Sequence, residues 1–293
     1  MEIGKWEVSK EFNEIYQEAR DWGLESNIAE LDAYGFTVIE NALSDEIVEQ
    51  LAQGILRVAE ERTGKKPDTT TGETHPGLQL QMGLLFHGRI FEEVLMEEPA
   101  LVLITYLLGK SCVLSSVASH FKGPGGGNRG QLALHSDIQG NGVPVPLPAY
   151  AQVANCNYAL TDYTEADDGV MAMVPGSQKL CRYPDEWDLS KSKEAVPVIV
   201  PKGSAIIFHG NTFHGSYERK KPGFRINLSY YFCRHYMDPT EGFRDNVPKE
   251  MLERNSERFA QLMGMTRPRG WSEANPDLSG VAVRAQLAAS PYR

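Results

Sequence analysis

Paired cysteines, long apolar runs and an excess of basic residues are all missing from this sequence of 293 residues. Its four cysteines are far apart and form no Cys-x-x-Cys pair, which argues against a disulfide scaffold and against a thiolate zinc site. No apolar run approaches the roughly 18 residues of a transmembrane helix. Asp and Glu number 39 against 29 Lys and Arg, and the resulting net charge of −10 argues against a main role in binding nucleic acid or anionic lipid.

The remaining composition is that of an ordinary globular protein, with 41% apolar and 23% charged residues. The first residues lack the basic-then-apolar pattern of a secretory signal, so we expect a cytoplasmic protein with reduced thiols. We expect one domain over residues 1–293, with a β-rich core at about 111–235 and helical parts at 1–110 and 236–293 packed around it. These extra terminal segments also suggest a homodimer.

Apolar spacing predicts helices in the first part of the chain. Within residues 11–31, Phe12, Ile15, Ala19 and Trp22 are spaced for one helix face. A strand is predicted at 36–39, and Ser44 is suited to cap a helix that ends at Gly64. A polar, turn-rich loop is predicted at 65–82 and a further helix at 90–109.

Short β-type runs separated by Gly, Pro and Asp clusters follow between residues 111 and 232. Several short strands without long helices between them predict a mainly β fold with flanking α-helices, either an antiparallel sandwich or a jelly roll. Beyond residue 246 the pattern predicts another helical stretch.

The triplet His135-Ser136-Asp137 could bind a metal ion. In a strand, Gln131, Ala133, His135 and Asp137 would share one face, so that a histidine and a carboxylate point at one ion. Such a triplet does not establish a metal site by itself.

Polar faces recur on the other predicted strands. Arg225, Asn227, Ser229 and Tyr231 alternate with apolar residues, and so do Asn155, Asn157 and Thr161. Polar faces are unusual in a packed sandwich, but they suit a barrel that holds a polar ligand in its mouth.

The His-x-Asp triplet, a histidine 77 positions after Asp137 and an arginine 11 positions after His214 together resemble the phytanoyl-CoA dioxygenase family of Fe(II)/2-oxoglutarate oxygenases. The stretches AYGFTVIENALSDEIVEQL, TDYTEADDGVMAMVPGSQK and HGSYERKKPGFR are similar to family motifs and occur in the family's order. The resemblance spans roughly residues 30–235. It departs at PGSQK, where the family commonly has PGSHK, and we expect Gln178 to change a local contact rather than the metal site.

This resemblance implies a double-stranded β-helix (a cupin-like jelly roll) with His135, Asp137 and His214 as Fe(II) ligands. It also implies 2-oxoglutarate and O2 as cosubstrates, with Arg225 binding the distal carboxylate of 2-oxoglutarate and Ser216 adding a hydrogen bond. Gln131 is a further candidate for cosubstrate binding. The implied reaction releases succinate and CO2 and oxidises a C–H bond of a small or medium organic molecule. Hydroxylation is the default outcome, with desaturation, epoxidation and rearrangement left open, and the setting is natural-product biosynthesis or catabolism.

Alternatives stay open at this point. His209 is a rival to His214 as the distal ligand, although its spacing to Arg225 is 16 rather than 11. A jelly-roll metalloenzyme without 2-oxoglutarate, such as an isomerase or a cofactor-independent dioxygenase, is the second hypothesis, and a non-enzymatic binding module is the third. The glycines at 125–130 fit GxGxxG, but a strand pattern follows them instead of a helix, so we expect a loop at the mouth of the site. The acidic residues at 164–168 are expected to form a turn rather than a second metal site.

Overall fold

Two antiparallel β-sheets form the centre of the chain in the computed structural model, which describes residues 10–75, 77–125, 132–186, 188 and 194–265. The strands are β1 (Phe36–Ile39), β2 (Leu80–Gln81), β3 (Val113–Lys122), β4 (Val153–Ala159), β5 (Met171–Met173), β6 (Val196–Pro197), β7 (Ala205–His209), β8 (His214–Ser216) and β9 (Arg225–Cys233). Within the described residues the larger sheet has the order β1-β7-β4-β9-β3-β2 and the smaller has the order β6-β5-β8. The predicted jelly-roll fold is therefore confirmed.

The two faces of the larger sheet have opposite polarity. Its outer face carries side chains such as Cys156, Tyr158 and Leu228, which belong to the main hydrophobic core together with helical residues. Its inner face carries Asn157 opposite Ser229 on the neighbouring strand, and further polar residues in register with them. This alternation follows from the period of two along a strand, and it leaves a polar surface facing the smaller sheet.

Helices cover the outer face of the larger sheet. They are α1 (Lys10–Asp21), α2 (Glu25–Tyr34), α3 (Asp45–Thr63), α4 (Arg89–Leu95), α5 (Glu98–Leu108), α6 (Phe243–Asn246), α7 (Lys249–Arg254) and α8 (Glu257–Leu262). Helix α3 begins and ends as predicted. The Ser44 side chain accepts a hydrogen bond from the Ile47 amide, and Gly64 closes the helix in the left-handed conformation. No helix among the described residues has both the length and the apolar character needed to cross a membrane.

Two predicted helices are interrupted in the structure. The helical stretch predicted within 11–31 is split into α1 and α2 because Gly23 adopts a left-handed conformation with φ of 67°. Trp22 is consequently half exposed, whereas Ile15 and Ala19 are buried as predicted; the side chain of Phe12 lies outside the described part. The helix predicted at 90–109 is also two helices, because Pro99 starts a new first turn in α5.

Gly35 joins the helical layer to the loop between β7 and β8. It ends α2 with φ of 83°, and its carbonyl accepts hydrogen bonds from the His209 amide and from the Thr212 hydroxyl, both at 2.9 Å. The side-chain amide of Gln178 donates a hydrogen bond from Nε2 to the Asp32 carbonyl at 3.3 Å. The unusual glutamine of the PGSQK stretch therefore makes a local contact to the end of α2, as expected.

We expect Gly35→Ala to lower the free energy of unfolding more than Gly64→Ala. Both glycines are left-handed, so alanine costs about 1–2 kcal/mol at each. A Cβ at Gly35 would also lie 2.5 Å from side-chain atoms of Gln178 and Thr212, whereas nothing lies within 4 Å at Gly64. We expect a further loss of about 1–3 kcal/mol for Gly35→Ala in urea unfolding. Equal losses in the two variants would show that this junction is loosely packed.

Candidate metal centre

His135, Asp137 and His214 converge on one point at the edge of the smaller sheet. Their ligand atoms all lie within 4.8 Å of one another. Asp137 Oδ1 is 3.3 Å from His214 Nε2 and 3.8 Å from His135 Nε2. Two imidazoles and one carboxylate on one side of a site are the donor set of non-haem Fe(II) oxygenases, so these residues fit an iron ion.

Backbone pairing brings the two histidines together. His135 and His214 form an isolated antiparallel bridge, in which the His135 amide donates to the His214 carbonyl at 2.8 Å and the reverse bond measures 2.9 Å. The stretch before His135 is not the predicted strand, because Ala133 has φ of 49° and breaks the extended conformation. Asp137 begins a short 3-10 helix (Asp137–Asn141) and still reaches the histidines.

The tautomer of each histidine is set by a backbone carbonyl. His135 Nδ1 lies 3.0 Å from the Ala133 carbonyl oxygen, and His214 Nδ1 lies 2.9 Å from that of Thr212. A neutral imidazole that donates from Nδ1 carries its lone pair on Nε2. Both Nε2 atoms are therefore ready to bind an ion at the point where Asp137 Oδ1 also lies.

Asp137 is held by a chain of neutral polar groups. Its Oδ2 accepts a hydrogen bond from Asn155 Nδ2 at 3.1 Å, while Oδ1 faces the histidines. Asn155 Oδ1 in turn accepts from Ser229 at 2.6 Å and from Asn157 at 3.1 Å, and Asn227 donates to Asn157. Burial raises the pKa of Asp137, but the hydrogen bond from Asn155 and the positive charge of the two imidazoles in their protonated form outweigh burial, so that the net shift is downward.

A cavity of about 240 Å³ extends from these three residues between the sheets. Its lining includes Ser216, His120 and Arg225. Arg225 is 5% exposed, donates from Nε to the Gly169 carbonyl at 3.2 Å, and has its guanidinium carbon 5.8 Å from the centre of the Tyr163 ring. The predicted cosubstrate residues Arg225 and Ser216 thus lie in the same cavity as the predicted ligands.

His209 does not join this cluster. It is buried, and its Nδ1 accepts a hydrogen bond from the Asn211 amide at 3.0 Å. The preceding residue, Phe208, lines the cavity instead, so alternation along β7 directs His209 to the other face. Gln131, the remaining predicted cosubstrate residue, lies outside the described residues, as do residues 126–130 of the glycine-rich loop.

The acidic stretch at 164–168 is a turn, as expected. Asp168 Oδ2 accepts hydrogen bonds from the Thr164 amide at 2.8 Å and from the Glu165 amide at 3.1 Å, and its Oδ1 pairs with Lys221 at 2.8 Å. Both oxygens of the Asp168 carboxylate are therefore engaged by groups of the turn and by Lys221.

Sequence reasoning missed Lys122. The side chain of this residue at the end of β3 is directed to the inner face, and Nζ donates to Ser216 Oγ at 2.6 Å. The period of two that placed other polar residues also places Lys122 beside His120, which lines the cavity. The alternation along β3 could have predicted that Lys122 shares a face with His120. It could not have predicted that β3 pairs with β9, which brings Lys122 beside Arg225.

Comparison with protein families gives one match over most of the sheet region. The model of the family described as phytanoyl-CoA dioxygenase (PhyH) matches residues 31–227. The dioxygenase cdmD of Talaromyces verruculosus is 30% identical over 112 residues, which cover 36% of this chain and 34% of that protein. The peroxisomal phytanoyl-CoA dioxygenase of Homo sapiens is 24% identical over 115 residues, covering 33% and 34%. The chain therefore matches about a third of the length of these curated relatives.

Solved structures extend the likeness to the fold. EctD from S. alaskensis in its apoform superposes with a TM-score of 0.59 at 20% identity, covering 74% of this chain and 79% of that chain. The same protein with bound Fe gives a TM-score of 0.59 at 19% identity over the same shares. At these identities the likeness establishes the fold alone.

We expect Asn155→Ala to weaken Fe(II) binding about 10- to 100-fold, because it removes the hydrogen bond that orients Asp137. Asn157→Ala is the matched control, since Asn157 is on the same strand and contacts Asn155 but not Asp137. We expect it to weaken binding by less than about tenfold. Anaerobic titration against a competing chelator measures both affinities. Equal losses in the two variants would contradict a specific role for Asn155.

Proposed function

The chain belongs to the phytanoyl-CoA dioxygenase family, and from this premise we propose that it is an Fe(II)/2-oxoglutarate-dependent dioxygenase. In this proposal, decarboxylation of 2-oxoglutarate to succinate is coupled to the oxidation of a C–H bond in a small or medium organic molecule, by default a hydroxylation. Natural-product biosynthesis is the setting we propose.

The observation that carries this proposal is the position of Arg225 in the same cavity as the three ligands. A buried guanidinium, which forms no ion pair with a carboxylate of the described residues, is suited to bind a carboxylate of a ligand. A metalloenzyme that uses no 2-oxo acid has no need of such a group. Arg225 therefore favours the 2-oxoglutarate reaction over the cofactor-independent alternative.

Each residue has a defined task in the proposed site. His135, Asp137 and His214 would hold the iron, and the bound iron would supply O2 activation coupled to oxidative decarboxylation of 2-oxoglutarate. The backbone carbonyls of Ala133 and Thr212 keep both Nε2 lone pairs directed at the metal position. Arg225 would form two charge-assisted hydrogen bonds with the distal carboxylate, and the Ser216 hydroxyl would donate a third.

The presence of Asp137 bears on the outcome of the reaction. A carboxylate ligand occupies a coordination position that a halide would need, so oxygen transfer or hydrogen removal is favoured over halogenation. The hydrogen bond from Asn155 engages Oδ2 of Asp137, so that Oδ1 stays directed at the metal position.

Anaerobic addition of Fe(II) and 2-oxoglutarate should produce the weak visible absorption band that a 2-oxo acid gives when it chelates ferrous iron. Asp137→Ala should lose this band and all turnover, because it removes one of three ligands. The absence of a band in the unaltered protein, together with no succinate release in air, would refute the proposed function.

We expect Arg225→Ala to raise the KM for 2-oxoglutarate about 100-fold, since it removes the charged partner of the distal carboxylate. Arg225→Lys keeps the charge but loses the planar guanidinium fork, so its KM for 2-oxoglutarate should lie between those of the unaltered protein and Arg225→Ala. Succinate release at varied 2-oxoglutarate measures the effect. An unchanged KM in Arg225→Ala would assign the distal carboxylate to a different residue.

A further inference from the structure

Two buried cationic side chains lie next to each other on the larger sheet, and one of them, Arg225, lines the cavity. Lys122 on β3 and Arg225 on β9 are direct partners in the antiparallel register, so their side chains are on the same face of the sheet. They are 7% and 5% exposed. Neither forms an ion pair with a carboxylate in the part of the chain that the structure describes.

This arrangement is unfavourable in the protein without a ligand. Like charges directly opposite each other on paired strands repel, and burial removes the water that would screen them. Burial and the Arg225 guanidinium lower the pKa of Lys122 to about 7, although the carboxylate of Glu218 acts in the opposite direction. An anion between these groups would relieve the repulsion and stabilise both charges.

Ser216 connects Lys122 to the cavity. Lys122 Nζ donates to Ser216 Oγ at 2.6 Å, so the serine oxygen serves as an acceptor on one side. Its own hydroxyl proton is then available to donate to a group inside the cavity, which Ser216 lines. A positive charge behind the serine makes that hydroxyl a stronger donor.

The contact also bridges the two sheets, because Lys122 belongs to the larger sheet and Ser216 to the smaller. Ser216 is two residues after His214, and the partner of Lys122 is the cavity-lining Arg225. Lys122 therefore lies directly behind the two residues, Arg225 and Ser216, to which the proposed function assigns the distal carboxylate of 2-oxoglutarate.

We propose that Lys122 is the second cation of the distal-carboxylate site, a positioning residue that acts through Ser216 beside Arg225. This inference rests on the proposed function and extends it to specificity. With two cations at this end, the site would select 2-oxo acids that carry a second carboxylate over those that end in a methyl group.

The test compares two ligands that differ in one group. Affinities of the anaerobic Fe(II) protein are measured for 2-oxoglutarate and for 2-oxopentanoate, which has the same chain length but no distal carboxylate. We expect Lys122→Met to lower the affinity for 2-oxoglutarate about 10- to 100-fold and to leave the affinity for 2-oxopentanoate nearly unchanged. Lys122→Arg should restore most of the loss. Lys202→Met, which removes a surface lysine paired with Asp45, is the control for net charge.

A double-mutant cycle tests the route through Ser216. If Lys122 acts through the serine, the double variant Ser216→Ala/Lys122→Met should lose less affinity for 2-oxoglutarate than the product of the two single-variant losses. Independent, multiplying effects would overturn this route.

The remaining outcomes separate the two levels of the proposal. If the unaltered protein binds 2-oxoglutarate tightly and Lys122→Met binds it equally well, Lys122 has no part in the site. Equal losses for both ligands would make Lys122 a structural residue and would also overturn the inference. If the unaltered protein fails to bind 2-oxoglutarate at all, the proposed function itself is wrong.

Discussion

The reciprocal pair of backbone hydrogen bonds between His135 and His214 is the interaction on which the candidate metal centre depends. It joins the segment that carries Asp137 to the edge of the smaller sheet, although the two histidines are separated by most of the β-rich region. The approach is close enough that a Cβ on Gly215 would lie 1.9 Å from the Leu132 carbonyl oxygen. Glycine is therefore required there for steric reasons. The side chains of the three predicted ligands meet because two backbone segments pair directly beside them.

The larger sheet supports this centre by separating two environments. Its outer face packs against the helices, where burying each large apolar side chain contributes about 1.5–3 kcal/mol. That stabilisation offsets the cost of an inner face lined with amides, hydroxyls and cations. The inner polar groups are hydrogen-bonded to one another, as in the chain from Asp137 through Asn155 to Ser229, so that their burial is compensated.

Much of this could be predicted from the sequence, because the signals were local or carried by motif order. Ser44 and Gly64 marked the ends of α3, and the resemblance to the phytanoyl-CoA dioxygenase family is confirmed by the match over residues 31–227. The structure brings His135, Asp137 and His214 together, while their roles as iron ligands stay a prediction. The role of Gln131 also stays a prediction.

What could not be predicted depended on tertiary contacts or on single backbone torsions. The breaks in the helical stretches follow from a left-handed Gly23 and from Pro99, in segments whose apolar spacing alone favoured continuous helices. Lys122 was missed because its partners, Arg225 and Ser216, are about a hundred residues away along the chain. Alternation along β7 places His209 on the face opposite the cavity, but this can be derived only once Phe208 is known to face the cavity.

The histidine orientation described above has a consequence for how this enzyme could diverge. The hydrogen bonds that orient both imidazoles end on main-chain carbonyls, at Ala133 and Thr212, and no substitution deletes a carbonyl. Ala133 also lines the cavity, and its φ of 49° restricts the position to residues that tolerate the left-handed conformation. Asp137 differs, because its orientation rests on the side chain of Asn155. A single substitution can therefore delete the bond that orients the carboxylate, whereas the bonds that orient the two histidines persist through any change of side chain at residues 133 and 212.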